Sequence, residues 1–429
     1  ACEAATGSPH GPVQVNCPFE EPLVPETTDA GWTRRAAPEA PGRAPDVDAA
    51  RTALHGFLKS YAAHRGLITL GGSGAPQTLS LLSLGASLGW PVLAEPLSGL
   101  RLDAGRAGAA LAAGQFLIGD EPWIAGHRPE VVVQVGATPT TRATQRLVAE
   151  TGALVVIDRE HPNPDPEGRA ERRIAVDAEL FAALAWEERD SFPVEPTDPA
   201  WADGWRVADL LARHAVDLEL DTWDEPFEGR IARDVASFLP HGASLVVGSS
   251  TPVRDLDLFM APRRPPRIWT APDLLHVVGN RGASGIDGLV ATTLGVASGS
   301  HGPTFALLGD LSFLYDAGAL LWSSRLGTDA VFVVLANGGG QIFSMLGQAS
   351  LPEHEALFTT PHPASIGAVA SAARAAHARI ERAADLVPAL ERAAREGGVQ
   401  VVEVAIDATL DRARRSDLRA GVAAALAGR

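Results

Sequence analysis

Short, nearly all-apolar runs recur along the chain, separated by stretches in which apolar residues return every three or four positions. Residues 67–70, 131–135, 153–157, 244–247, 304–308, 330–335 and 399–404 have strand length and few polar interruptions, the pattern of strands buried on both faces of a sheet. Residues 50–64, 78–88, 141–150, 286–297, 316–324, 366–379 and 386–396 carry the helical period. Alternation of this kind predicts an α/β fold of two doubly wound, mostly parallel sheets. No short-period repeat interrupts it.

Two stretches break the pattern. Residues 18–45 hold six prolines and few apolar runs, and residues 190–203 are rich in proline and acid, so both read as linkers. The expected division is 1–45, a strand at 12–16 entering a linker; 46–190, a first α/β domain; and 200–429, a second. The opening residues Ala1 to Gly7 read as the end of a helix running into that strand, as though a domain begins in its last pieces.

The run from Thr304 to Gly340 carries the chemistry. Two strands joined by a helical crossover lie parallel, so Asp310 and Asn337, each just beyond an apolar run, emerge at the same sheet edge. Gly309 permits a tight turn beside Asp310, and Gly338, Gly339 and Gly340 free the second loop to approach a ligand or to offer a carbonyl. One carboxylate, one carboxamide and one main-chain oxygen suit a hard cation such as Mg2+, and a helix N-terminus beside them favours a diphosphate. The same residue types serve equally as an N-cap and a turn residue, so spacing alone leaves both readings open.

Composition narrows the classes. A net charge of −16 argues against nucleic acid, and any anionic substrate must be held by local arginines. Cys2 and Cys17 are the only cysteines and belong to no metal-spacing cluster, which points to a reducing, cytoplasmic compartment. No apolar stretch reaches the roughly 20 residues of a spanning helix. Two motif matches are weak. Gly72-Ser-Gly74 begins a dinucleotide fingerprint, yet Gln77 stands where the third glycine belongs; Gly85 to Gly89 spells a serine-hydrolase elbow, yet Ser87 falls in a helical run. Twelve histidines are scattered, with His276, His301 and His362 near the loops of interest.

Gly309-Asp310 followed 27 positions later by Asn337 resembles the metal and diphosphate motif of thiamine diphosphate (ThDP) enzymes. Asn280-Arg-Gly-Ala-Ser-Gly-Ile-Asp-Gly288, Gly309-Asp-Leu-Ser312, Gly340-Gln-Ile-Phe343, the run from Gly11 to Pro22 and the run from Ala94 to Arg101 are similar to the family of 2-succinyl-5-enolpyruvyl-6-hydroxy-3-cyclohexene-1-carboxylate (SEPHCHC) synthases of menaquinone biosynthesis. The resemblance implies ThDP with Mg2+ or Mn2+, a degenerate nucleotide-fold middle domain, a diphosphate-binding last domain, and a homodimer or homotetramer. It implies decarboxylation of 2-oxoglutarate and addition of the resulting carbanion to isochorismate. It also implies a pyrimidine-binding domain ahead of the first linker that carries the activating glutamate, a role no residue of this sequence is assigned.

Residue by residue, the resemblance makes Asp310, Asn337 and Gly339 (through its carbonyl) the metal ligands, and Ser250, Gly282, Ile286, Gly309, Leu311, Ser312 and Gln341 the cofactor contacts, Ile286 as the aliphatic wedge under the bent cofactor. Arg254 and Arg281 line the substrate pocket, Arg142 faces it or a regulatory pocket, and Ile342, Phe343 and Leu346 form an apolar wall over the reacting centre. Two local departures stand out: Leu311 replaces the second glycine of the general motif, and Ala336-Asn337-Gly338 replaces an asparagine run. The alternatives are another ThDP-dependent 2-oxoacid decarboxylase or acetolactate-synthase-like enzyme, an inactive fragment or half of a split enzyme, and an NAD-binding protein resting on the partial glycine loop.

Overall fold

The computed structural model describes residues 13, 14, 16, 46–72, 79–101, 110–161, 163–191, 198–262 and 275–428. Apart from residues 13, 14 and 16, the expected remnant and linker at 1–45 lie outside the described residues, as do both cysteines and most of the partial glycine loop.

Among the described residues, eleven strands form two sheets in which all neighbours run parallel. The first holds β1 (Gly66–Leu70), β2 (Val92–Ala94), β3 (Val131–Val135), β4 (Ala153–Ile157) and β5 (Arg172–Ile174), in the order β2-β1-β3-β4-β5. The second holds β6 (Ser244–Val247), β7 (His276–Val278), β8 (Thr304–Gly309), β9 (Ala330–Ala336), β10 (Ala376–Ile380) and β11 (Val399–Ala405), in the order β10-β11-β9-β8-β6-β7. The central strands β1, β3, β6 and β9 are buried almost throughout, which is why they read as unbroken apolar runs. In each sheet the chain steps outward once and then reverses, β1 to β2 before β3 and β6 to β7 before β8. That reversal opens a crevice at the carboxyl ends, where such sheets take ligands.

One apolar cluster is shared between the two units. Leu67, Val132 and Val156 on one face of the first sheet pack with Trp205, Ala212 and Val216 of the helix Pro199–Thr222 and with Leu418 and Val422 of the helix Ala408–Ala427. Trp123 meets Trp205 edge-on at 4.8 Å, a geometry favoured by the ring quadrupoles.

Four sequence expectations are corrected. The stretch 190–203 is not all linker: Asp198 accepts from Ala200 N and Pro199 opens a 24-residue helix, so the turn-like residues are a cap and a first-turn proline. The crossover after β8 is not one helix but Asp310–Tyr315, a 3-10 turn Ala317–Trp322 and the single turn Ser323–Leu326. Asp316, at the break, gives its carboxylate to Ala291 N and so caps a different helix. That helix is Leu289–Gly299 rather than 286–297, because Gly288 with φ +70° stands at its N-cap. The expected helix 366–379 stops at Ala372; Arg374 adopts φ +58°, and the chain turns into the edge strand β10.

Candidate cofactor and anion site

The carboxyl ends of β9, β8, β6 and β7 lie side by side in that order, and each is followed by a predicted site residue. At roughly 4.8 Å per strand they span about 14 Å, enough for a diphosphate group and a neighbouring carboxylate. Asp310 opens the helix after β8 and is 1% exposed. Its Oδ1 accepts from Leu311 N at 2.7 Å, and its Oδ2 accepts from Gly338 N at 2.8 Å and Gly339 N at 3.0 Å. Burial pushes its carboxyl above the usual range, while these amides and the nearby His362 oppose the shift. The Asn337 Oδ1 accepts from the same Gly339 N at 3.3 Å, so the amide oxygen and the carboxylate converge on one point.

Gly339 sits at φ +129°, and a Cβ there would lie 2.2 Å from the Thr359 carbonyl oxygen, so the loop is held against the turn Glu355–Thr359 and no larger residue fits. The expectation for Gly309 needs revision. Its φ of −75° and ψ of 161° are open to any residue, and nothing lies within 4 Å of where a Cβ would stand. Its glycine leaves room above Asp310 rather than permitting a turn.

Among the described residues no group of three His, Cys, Asp or Glu side chains could hold a metal. A cation at Asp310 therefore draws on amide and main-chain oxygens. An oxygen-only set with one carboxylate, and a glycine whose Cβ position is filled by backbone, fit Mg2+ bound through a diphosphate.

The anion side follows β6 and β7. Arg254 donates to the carbonyls of Ser249 at 2.9 Å and Ser250 at 2.7 Å, and Arg281 donates to the same Ser249 carbonyl at 3.3 Å. Burial, then the charges of Arg281 and Arg142, lower the pKa of Arg254, and burial lowers that of Arg281. Among the described residues none of these three arginines has a carboxylate within ion-pair distance, in a chain otherwise rich in Arg–acid pairs. Clustered, part-buried and uncompensated guanidinium groups are a standing attraction for a carboxylate.

A cavity of about 520 Å3 lies beside them, walled by Arg142 and Arg146 from the first unit and by Arg254, Arg419, Ile342 and Leu346 from the second. Arg142 opens the helix Arg142–Glu150 after β3, so loops from the carboxyl ends of both sheets face one space. Arg281 is not part of this wall. Phe343 packs on Phe358 at 5.6 Å and does not line the cavity, so of the expected apolar wall Ile342 and Leu346 remain, joined by Phe116, Leu258, Met345 and Val422. Gln341 points its amide oxygen at Arg412, 3.3 Å away. Ser312 is buried in the first turn after β8 beside half-buried Leu311; Gly282 is exposed; Ile286 is half-buried in the loop before the helix rather than inside it.

Several groups carry little or no signal in the sequence, His362 only its nearness to the loops. His362 Nε2 lies 3.4 Å from Asp310 Oδ2, and neither ring nitrogen has a hydrogen-bond partner among the described residues. Behind Asn337 lies a buried cluster: Arg415 donates to Asp255, Asp411 and Glu228 at 2.6 to 3.0 Å. Burial first, then the charge of Asp411, pushes Glu228 up to about 8. Its partners Asn337 and Arg415 lie 109 and 187 residues away, beyond any local spacing rule. The Ala94 to Arg101 string proves structural: Glu95 accepts from Thr140 N at 2.6 Å, and Arg101 donates to five carbonyls, those of Ala94, Leu111, Ala112, Asp257 and Met260. Ser87 hydrogen-bonds the Ser83 carbonyl within its helix, which removes the hydrolase elbow.

Residues 262–404 match the family profile described as the thiamine pyrophosphate enzyme C-terminal TPP-binding domain. The chain is 35% identical over 423 residues to the SEPHCHC synthase of Saccharopolyspora erythraea, covering 97% of this chain and 70% of that one. It is 36% identical over 432 residues to the SEPHCHC synthase of Thermobifida fusca, covering 99% and 72%. A solved structure from Mycobacterium smegmatis, described as thiamin diphosphate-dependent, superposes with a TM-score of 0.57 at 20% identity over 84% of this chain and 64% of that one, which establishes a shared fold.

Proposed function

The chain belongs to the SEPHCHC synthase family of ThDP-dependent enzymes, and from that premise we propose that it joins 2-oxoglutarate, after loss of CO2, to isochorismate. One observation carries the substrate reading: Arg254 and Arg281 meet on a single carbonyl without an acidic partner among the described residues. A pyruvate-using relative needs fewer cations than an enzyme handling two dicarboxylates, and in a chain of net charge −16 such arginines must act locally.

When bound, ThDP supplies the electron sink that lets the 2-oxo acid lose CO2 and its carbonyl carbon become nucleophilic. The protein does the rest. Asp310, the Asn337 amide oxygen and the Gly339 carbonyl would hold Mg2+ on the diphosphate, with the open space above Gly309 admitting it. Ser250 and Ser312, at the starts of the helices after β6 and β8, are placed for diphosphate oxygens. Gly282, Leu311 and Gln341 would border the same cofactor, with Ile286 as its apolar support. Arg254 and Arg281 hold the 2-oxo acid's carboxylates; Arg142 meets the second substrate from across the cavity; and Ile342 with Leu346 keeps water from the reacting carbon. The division at 190–200, a cytoplasmic setting and a homo-oligomeric working form complete the proposal. Exposed Tyr315, Leu321, Trp322 and Leu326, all on the segment after Asp310, favour a covered surface there. No described helix is long and apolar enough to cross a membrane.

The test separates substrate from cofactor. Arg254→Ala and Arg281→Ala should each weaken 2-oxoglutarate binding about 10- to 100-fold, the worth of a hydrogen bond to a charged group, while ThDP affinity in Mg2+ stays within about twofold. Loss of ThDP affinity alone, or pyruvate binding as tight as 2-oxoglutarate, would remove the reading.

A further inference from the structure

A metal-ligating carboxamide must present its oxygen, yet oxygen and nitrogen are nearly equal in size, so something must choose the face. The Asn337 Nδ2 donates to Glu228 Oε1 at 2.6 Å. On the other side its Oδ1 accepts from Gly339 N at 3.3 Å, the amide that also serves Asp310. A main-chain N–H can only donate, so the two contacts specify one orientation, with the oxygen on the side of Asp310.

Glu228 is itself fixed. It is 2% exposed, at the first turn of the helix Glu228–Phe238. Its own N–H donates to Asp411 Oδ1 at 3.0 Å, and its Oε2 accepts from Arg415 at 3.0 Å. Arg415 is locked by Asp255, which receives two of its N–H groups at 2.6 and 2.8 Å, and by Asp411 at 2.7 Å. Neither Glu228 oxygen therefore has freedom: one is committed to a guanidinium and the other to the carboxamide. Asp255 and Arg415 also border the cavity, so this buried chain joins the metal end of the site to its substrate end.

We propose that Glu228 is a positioning residue for the divalent cation: it holds the Asn337 carboxamide with nitrogen inward and oxygen toward Asp310, with Arg415 fixing Glu228 in turn. This rests on the cation reading above, and the variants below separate the two.

At about pH 9, above its raised value of about 8, Glu228 accepts at both oxygens, and Glu228→Gln replaces one of them with NH2. The charged, donor-only Arg415 retains the remaining oxygen, so the NH2 faces the Asn337 NH2, and Asn337 must turn its nitrogen toward the cation. Tryptophan fluorescence, titrated with ThDP at a series of Mg2+ concentrations, reads this without turnover. The Mg2+ concentration for half-maximal ThDP binding should rise at least tenfold. Pairing Glu228→Gln with Asn337→Asp restores complementarity, since the carboxamide introduced at position 228 would then donate to a carboxylate that also faces the cation. The double variant should return to within about threefold of the parent and bind Mg2+ more tightly than Asn337→Asp alone, a rescue that lost packing would not produce. That second comparison stands even where Glu228→Gln alone does not fold. An Mg2+ midpoint within twofold of the parent in Glu228→Gln, or a double variant no better than Asn337→Asp, overturns the proposal. An unchanged Mg2+ dependence in Asp310→Ala removes instead the cation reading on which it rests.

Discussion

The carboxyl edges of the two sheets share the same switch point and have opposite economies of charge. At the first, the polar groups beside the strand ends are consumed by each other: Glu95 by Thr140, Arg101 by five carbonyls drawn from both units, and Asp209 by the amides of Ala112 and Ala113. At the second, Arg254 and Arg281 reach only carbonyls, while buried Asp310 accepts from the amides of Leu311, Gly338 and Gly339. Charges spent on their neighbours make a joint between units, whereas guanidinium groups gathered without an ion-pair partner, Arg254 and Arg281 with Arg142 added from the first edge, make a place for a ligand. Parallel topology supplies the crevice in both cases, and the pairing of its side chains decides which use it has.

The comparison predicts that damage to the first edge is read in stability and damage to the second in binding. Arg101→Met should cost about 4 kcal/mol in denaturant unfolding, because several buried carbonyls lose their donor at once. A loss near zero would show that the joint is not held there. Asp310→Asn, which keeps an oxygen for the Gly338 and Gly339 amides but loses the charge, should weaken Mg2+-dependent ThDP binding by roughly 10-fold or more, about 1.4 kcal/mol, with a melting temperature close to the parent's in the absence of cofactor. A large fall in that melting temperature would make Asp310 a structural cap like Glu95.

The smallest effect is a slope. Glu95 is pushed up to about 8, by burial first and then by the neighbouring Asp257, itself pushed up to about 7. A carboxyl with a raised folded pKa binds its proton more tightly in the native state. Its stabilising contribution is full below the unfolded value and is lost as pH rises through the folded one. The melting temperature should therefore decline between about pH 5 and 8.5, and Glu95→Gln, a mimic of the protonated form, should flatten part of that decline. An unchanged slope would place the buried proton elsewhere.

Much of this contrast is legible in the sequence, for reasons that differ by element. The β8 and β9 strands are visible because a strand covered on both faces must be apolar at every position, and Asp310 and Asn337 stand out as the polar residues ending such runs. Arg254 and Arg281 come from motif text, and the structure brings both to one carbonyl. Edge strand β10, exposed at four of its five positions, has no apolar signature and reads as the end of a helix. The helix Pro199–Thr222 begins with residues that serve turns and caps alike, and local text does not separate those uses. Glu228 and Arg415 are invisible as site residues, and His362 is marked only by its nearness to the loops.

By itself the sequence determined the fold class, seven of the eleven described strands, and the two residues that end β8 and β9, because burial periodicity and strand-end chemistry are local. Only the tertiary structure decided which charges are spent and which are free. That choice depends on partners brought together from distant parts of the chain: Arg101 reaching Met260, Asn337 reaching Glu228, and Arg415 reaching Asp255. In a low-dielectric interior an arginine or carboxylate takes its meaning from what lies within hydrogen-bonding distance, which sequence spacing does not encode.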